Sequence, residues 1–534
     1  MSLIQLIFRN LVFFRKRWLA LFAGIAVSTA VITGALVVGD SVKYSLLRLT
    51  DERLGKIRFA IQTSGRFFRQ ELADELSEKL RITVAPALLT ECIAINSDRN
   101  LRINQVQVIG IDSRFSRLWD GPPVVPGDDE TVISRNVAEK LGLKRGDQML
   151  LRIQKMGKTP SNAPFVSENT PSVSVRLKIS AIAEENQMGR FSLKNNQASP
   201  FTVFLPLHKL AGLLELQGNA NLLLAPDNDD HPLNIRQLDS VLRRSLKPAD
   251  AGIVIRQLPE TEICQVTTGR VFFDDSTAKA VMSAIPGCET ILTYLANSIS
   301  GKGGATPYSF VSAGNESFFK KNIGNRAIII NDWLASDIHA RPGDSVALTY
   351  YRMGPLRTLH EDSMWFTVSE IMPMGGEIAG RELMPDFPGM SGAGNCRDWD
   401  AGAPVDMKKI RDKDEKYWKD YRGTPKAYIS MEAGKLIWAN KFGSYTAFRF
   451  QAEKKDLPGI ERSLMSRINP AWYGLRFSPV YKEGRQAAMH STDFAELFLS
   501  LSFFIVAGAL LLSGMLFSQL AQARMAESGI LSAI

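Results

Sequence analysis

Two uncharged apolar runs, residues 18–38 and 497–517, constrain the fold of this chain more than any other feature. A helix rises about 1.5 Å per residue, so each 21-residue run reaches about 31 Å, the hydrocarbon thickness of a bilayer. The runs sit at opposite ends and hold 42 of 534 residues, about 8%. Most of what lies between is too polar for lipid: the mean hydropathy is −0.06 and 22% of residues are charged. A multispanning membrane protein is excluded. Wholesale disorder is excluded too, by 28 Phe and a 45% hydrophobic content.

Arg9, Arg15, Lys16 and Arg17 precede the first run. The positive-inside rule then puts the N-terminus in the cytoplasm. The run exceeds the apolar core of a signal peptide, and Gly39-Asp40-Ser41 offers no cleavage pattern, so an uncleaved anchor is expected. Residues 3–14 read either as a short interfacial helix or as an extension of the first span. The second run follows Asp493 and Glu496 and precedes Gln519, Gln522 and Arg524. Both termini are then cytoplasmic, and residues 39–496 form an extracytoplasmic domain. Small residues at i,i+4 spacing, such as Gly24/Ser28 and Ala509/Ser513, let helices approach closely in lipid. The expected fold class is a membrane protein with two transmembrane helices flanking an α+β extracytoplasmic domain of two related lobes.

An internal repeat organises that domain. Residues 133–147 align without gaps on 330–344, with identities Ile133/Ile330, Ala138/Ala335, Gly146/Gly343 and Asp147/Asp344. Each copy reads as a strand end, an N-cap (Ser134, Asn331), a short helix and a Gly-Asp turn into a further strand. Other landmarks recur in order: 63–68 with 267–272, 178–182 with 367–371, and 204–207 with 428–431. The expected divisions are an N-terminal segment 1–17, spans 18–38 and 497–517, lobes 41–250 and 251–490, and a C-terminal segment 518–534. Polar inserts at 157–172 and 375–422 read as excursions from the lobes.

Catalytic chemistry is hard to find. The five histidines form neither HExxH nor a close pair, and Cys92, Cys264, Cys288 and Cys396 lack zinc-site spacing. In an oxidising compartment the cysteines allow three complete pairings; free buried thiols are the alternative. Residues 300–304 lack phosphate-loop spacing and read as a turn. Residues 390–394 lack the GxSxG elbow and read as a loop. Asp227, Asp229 and Asp230 read as a solvated turn. The alternating charges of 411–416 read as an exposed helical face. The net charge of +9 is scattered, which argues against nucleic-acid binding. No enzyme activity, metal or cofactor is expected.

After the second run comes Arg524-Met-Ala-Glu527-Ser-Gly529-Ile-Leu531-Ser-Ala533-Ile534. This R-x-x-E-x-G-x-L-x-A pattern resembles the segment after the second span in FtsX-like, MacB-like (type VII, mechanotransmission) permeases of the ATP-binding-cassette superfamily. The basic lead, the large extracytoplasmic region and the Val132-to-Asp147 segment are similar to that family as well. The resemblance implies that Arg524, Glu527, Gly529, Leu531 and Ala533 seat on a cytoplasmic ATPase subunit that binds the ATP. It implies a bacterial cytoplasmic (inner) membrane location, and as partners a second permease copy or half and membrane lipids. Family members carry further spans after this segment, so the chain reads either as the N-terminal portion of a permease or as a subunit whose remaining spans belong to another chain. A two-span sensor or scaffold without transport is the alternative reading.

Overall fold

The structure, a computed structural model, describes residues 3–120, 124–160, 163–164, 172–195, 198–228, 231–259, 261–354, 358–375, 380–400, 402–489 and 494–533. Two compact units emerge. One combines residues 1–58, 185–200 and 479–534; the other combines 59–184 and 201–478.

The first unit is helical. Helix α1 (Leu3–Phe13) breaks at Phe14 before α2 (Arg15–Leu54), a 40-residue helix. At about 1.5 Å per residue α2 spans about 60 Å, roughly twice the hydrocarbon thickness. By length and composition, a helix from Phe22 to Leu54 is long and apolar enough to cross a membrane. It does not stop at Val38 as the uncharged run does. Past that point it changes character: Ala35 and Gly39 are buried, Val42 and Leu46 half-buried, and Thr50 and Arg53 buried again. That i,i+3/i+4 stripe is how a helix faces protein. Helix α15 (Phe494–Ser532) is a second long helix, which packs along α2.

The second unit holds two β-sheets of matching connectivity. Strands β1 (Ile57–Gln62), β2 (Phe68–Arg69), β3 (Ala85–Asn96), β4 (Leu101–Ile111), β5 (Glu130–Ser134), β6 (Gln148–Gln154), β7 (Ser172–Ala183), β8 (Thr202–Pro206), β9 (Asn219–Ala220) and β10 (Leu222–Pro226) belong to the first lobe. Strands β11 (Ile253–Gln257), β12 (Ile263–Thr268), β13 (Glu289–Gly301), β14 (Gly304–Gly314), β15 (Ala327–Asn331), β16 (Ser345–Met353), β17 (Leu359–Met372), β18 (Ala427–Ser430) and β19 (Ala447–Gln451) form the other. The first sheet runs β1-β10-β3-β4-β8-β5-β7-β6, and a β3–β6 pairing closes six of its strands into a ring. The second runs β11-β12-β19-β13-β14-β18-β15-β17-β16, closed by β13–β16.

The agreement extends to register. Cys92 opposes Ile153 where the first ring closes, and Ala296 opposes Tyr350 where the second does. The β5–β7 pairing slips between Thr131 and Val132, and β15–β17 slips between Ile328 and Ile329. Phe204 pairs with Val132, and Tyr428 with Ile329. At both Gly-Asp turns the glycine has positive φ, 96° at Gly146 and 92° at Gly343, where a side chain would be strained. Asn331 caps its helix by accepting from the Leu334 amide. Ser134 occupies the cap position, but its hydroxyl turns to the Thr202 carbonyl and Asn136 instead.

The helices correspond in the same order. They are α3 (Glu71–Leu80) with α8 (Asp275–Ala284), α4 (Ser113–Ser116) with α9 (Glu316–Phe319), and α5 (Arg135–Leu141) with α10 (Asp332–Asp337). Next come α6 (Leu207–Leu213) with α12 (Met431–Trp438) and α7 (Ile235–Ser245) with α13 (Leu457–Arg467). The second half also reaches back to the first half's sheet, where Ser478 at its end pairs with Ala60 of β1. One core is therefore shared, with Phe59, Leu72 and Leu76 packed among Val266, Phe273 and Phe448.

Two expectations need correction. The 375–422 insert is not an excursion. Its Phe387, Met390, Trp399, Ile410 and Trp418 are buried in the same core as the second ring. These apolar residues are widely spaced in a polar stretch, so periodicity does not show them. Its helix α11 (Asp412–Tyr421) exposes Asp412, Lys413 and Lys416 as an exposed charged face does, but buries Asp414. Most of the 157–172 insert, residues 376–379 and 401, and Asp229 and Asp230 lie outside the described residues. Asp227 accepts from the Asn228 and Leu233 amides, as a turn does. Residues 300–304 turn the β13–β14 hairpin. All four cysteines are free and buried. Burial pushes the Cys92 and Cys396 thiols up to about 12, so both stay protonated and inert.

Candidate functional site

The helical unit carries the sequence-predicted site residues. Where α2 and α15 meet, Gly24 lets the helices approach closely: a Cβ there would lie 2.8 Å from Ser513 Oγ. These are two of the small residues whose spacing suits close packing in lipid.

The polar half of α2 is clasped by two other segments. Helix α14 (Val480–Met489) lays Gly484 against it so closely that a Cβ there would sit 2.9 Å from both Arg53 Nη2 and Thr50 Cγ2. Residues 185–200, which leave the first lobe through a π-helical turn at Glu185–Gly189, come to the same place. Arg53 is buried there and donates to the Lys194 carbonyl and, at 2.7 Å, to Asn195 Oδ1. Arg190 Nε lies 2.9 Å from Glu185 and 4.0 Å from Glu52. On the α14 side, Tyr481 donates to Asp51 at 2.9 Å, and the Arg58 guanidinium stacks 3.8 Å from the Tyr481 ring centroid. A buried guanidinium satisfied by a carbonyl and an amide fixes both partners, because leaving it unpaired would cost more than the bonds themselves contribute.

At the other end, α15 continues to Ser532 without a break between its apolar run and the R-x-x-E-x-G-x-L-x-A segment. Backbone periodicity puts positions 524, 527 and 531 on one face, with 529 on the opposite one. The side chains of Arg524, Glu527 and Leu531 lie outside the described residues. Gly529 and Ala533 are exposed, as are the apolar Met525 and Ile530.

A second constellation underlies the 375–422 insert. The Lys426 ammonium is buried 3.7 Å from Asp414 and stacks 4.2 and 4.6 Å from the Trp333 and Tyr417 ring centroids. Burial pushes it down to about 8, against the pull of Asp414. Arg411 bridges Asp414 at 2.7 Å and Asp337 at 2.6 Å, and Asp337 also binds Lys413 and Thr306. Burial alone would raise the Asp337 carboxyl; the hydrogen bonds from Lys413, Thr306 and Arg411 hold it below its ordinary value. With cations and carboxylates closed on one another, the arrangement ties α11 to α10. Among the described residues no group of three His, Cys, Asp or Glu could hold a metal ion.

No protein-family model matches the chain, and no curated protein is significantly similar to it. Solved structures are similar to part of it. The periplasmic region of MacB from Actinobacillus actinomycetemcomitans is 10% identical at a TM-score of 0.24, covering 35% of this chain and 83% of that one. The extracellular domain of the noncanonic ABC-type transporter YknZ from Gram-positive bacteria is 12% identical at 0.23, covering 35% and 90%. A domain of a protein described as a permease, from Porphyromonas gingivalis, is 13% identical at 0.23, covering 36% and 84%. These are similarities to MacB-like and permease domains.

Sequence reasoning missed Arg53, Gly484 and residues 185–200. The sequence positions that meet here are more than 140 residues apart (Arg53 and Asn195), and no motif links them. The one readable signal was the apolar stripe that continues along α2 beyond Val38.

Proposed function

We propose that this chain is a permease subunit, or the N-terminal part of one, in an ATP-binding-cassette transporter of the FtsX-like, MacB-like type. A separate cytoplasmic ATPase hydrolyses the ATP, and the helical unit relays its movement to the extracytoplasmic lobes. One observation carries this reading: α15 joins residues 524–532 to the apolar run in a single 39-residue helix paired with α2. A push at 524–533 then moves a rigid rod instead of a flexible tail. The clasp of Arg53 on residues 194–195 supports it, since α2 holds a segment that leaves the first lobe. In this reading residues 18–38 and 497–517 cross the bacterial cytoplasmic membrane, both ends face the cytoplasm, and residues 39–496 lie outside. A second permease copy or half and the surrounding lipids are the other partners. The matching strand order and bulges of the two lobes support their origin by duplication. The chain itself is non-catalytic.

The test is capture of the ATPase encoded beside this chain's gene by the full chain in detergent. Binding is expected, and loss of it with Glu527→Lys or with Leu531→Asp. Unchanged capture by both variants overturns the site assignment. Full cellular function after deletion of the residues beyond Phe517 would favour a sensor or scaffold.

A further inference from the structure

The two Thr-x-Gly-Arg segments, 63–66 and 267–270, occupy corresponding places in the two halves, and their arginines meet at one cavity. This cavity, of about 160 Å³, is lined by Arg66, Arg270, Lys158, Asn219, Phe67 and Val254, among others. No carboxylate lines it. Arg66 stacks on the Tyr473 ring, 4.6 Å from its centroid, and its nearest acid is Asp274 at 3.7 Å. Arg270 donates to the Gly65 carbonyl at 2.9 Å and has no ion pair among the described residues. Burial, then the charge of Arg66, lowers its guanidinium to about 10. Lys158, exposed and without an ion pair among the described residues, passes over Gly269, where a Cβ would touch its Cδ at 3.4 Å. Thr159 anchors that part of the insert on the Gly269 carbonyl at 3.1 Å. Next to Arg270, Val271 is buried and holds φ at 69°, an outlier for a β-branched residue. Strain of this kind persists where the surroundings over-determine a side chain's direction.

Three cations facing one cavity repel each other unless something negative joins them. Two guanidinium forks and an ammonium match the oxygens of a phosphate, and Phe67 and the half-exposed Val254 supply apolar wall. We propose that this cavity between the two lobes binds a phosphate group, carried by a free phosphate or by the headgroup of an anionic lipid. The proposal is independent of the permease reading, because it uses only the lobes.

The experiment measures binding by the full chain in a neutral detergent, with inorganic phosphate, dihexanoyl phosphatidic acid and dihexanoyl phosphatidylcholine as probes. Phosphate or phosphatidic acid is expected to bind. Arg66→Ala and Lys158→Glu should each weaken binding about tenfold, the worth of one charge-assisted hydrogen bond. Lys158→Glu touches no structural bond, so its effect is readable even if Arg66→Ala loosens Tyr473; near-UV circular dichroism checks both folds. Equal affinity for phosphate and phosphatidic acid identifies a free oxyanion as ligand, and tighter binding of phosphatidic acid identifies a lipid headgroup. Failure of both to bind overturns the proposal. So does undiminished binding by Lys158→Glu, or phosphatidylcholine binding as tightly as phosphatidic acid.

Discussion

Asp337 and Lys426 show how two residues of one buried network respond oppositely to pH. The folded state holds the Asp337 carboxyl below its ordinary value of 3.8, so it contributes stability at neutral pH that is lost as pH falls through and below that value. Lys426 is pushed from 10.5 down to about 8, so the unfolded chain holds that proton more tightly. Stability therefore rises with pH between about 8 and 10.5. Thermal melts of the protein against pH are expected to show both slopes. Lys426→Met should flatten the alkaline rise, since Arg411 still satisfies Asp414. Asp337→Asn should blunt the acid loss and cost about 1–3 kcal/mol at pH 7, the worth of hydrogen bonds to a charged acceptor. None of this was legible in the sequence. The alternating charges of 411–416 describe a solvated face equally well, and only the fold brings Asp337 and Lys426 to them.

At the scale of elements, the long helices were half legible. An uncharged run marks the part of α2 that suits lipid, but its continuation to Leu54 carries Asp40, Lys43, Arg48 and Glu52 and reads like the start of a soluble lobe. What holds that continuation helical is packing against α14 and residues 185–200, of which the stripe Gly39, Val42 and Leu46 is the one local trace. Gly484→Leu should drive α14 off Arg53 and Thr50 and lower the melting temperature, whereas Gly484→Ala should do so less. The contact at Gly24 is testable separately. The pair Gly24→Cys with Ser513→Cys should cross-link under mild oxidation, and Gly24→Leu should block α2 from closing on α15. Failure of the cysteine pair to cross-link in the intact protein would contradict the helix pairing.

For the molecule as a whole, the most legible part was the local strand–helix–turn–strand unit read at 133–147 and again at 330–344. The alignment of 133–147 on 330–344 falls on β5-α5-β6 and β15-α10-β16. It was legible because strand ends, caps and Gly-Asp turns are local. The ring closures and the shared core join residues far apart in the chain and leave no such trace. They do have a measurable consequence. Residues 59–252 and 253–478 expressed apart should each be poorly folded, lacking half of the core around Phe59 and Phe448, and should recover native circular dichroism when combined. Independent, cooperative folding of either half would contradict the shared core. The pairing of Ala60 with Ser478, each amide donating to the other's carbonyl at 3.0 and 2.9 Å, has a further effect. Apart from the excursion of residues 185–200, the two-lobed unit starts and finishes at one pair of facing residues, like a ring on a clasp. A short linker across that pair should seal the unit into a covalent circle without strain, and the chain could then be reopened at an exposed loop on the far side with its fold intact.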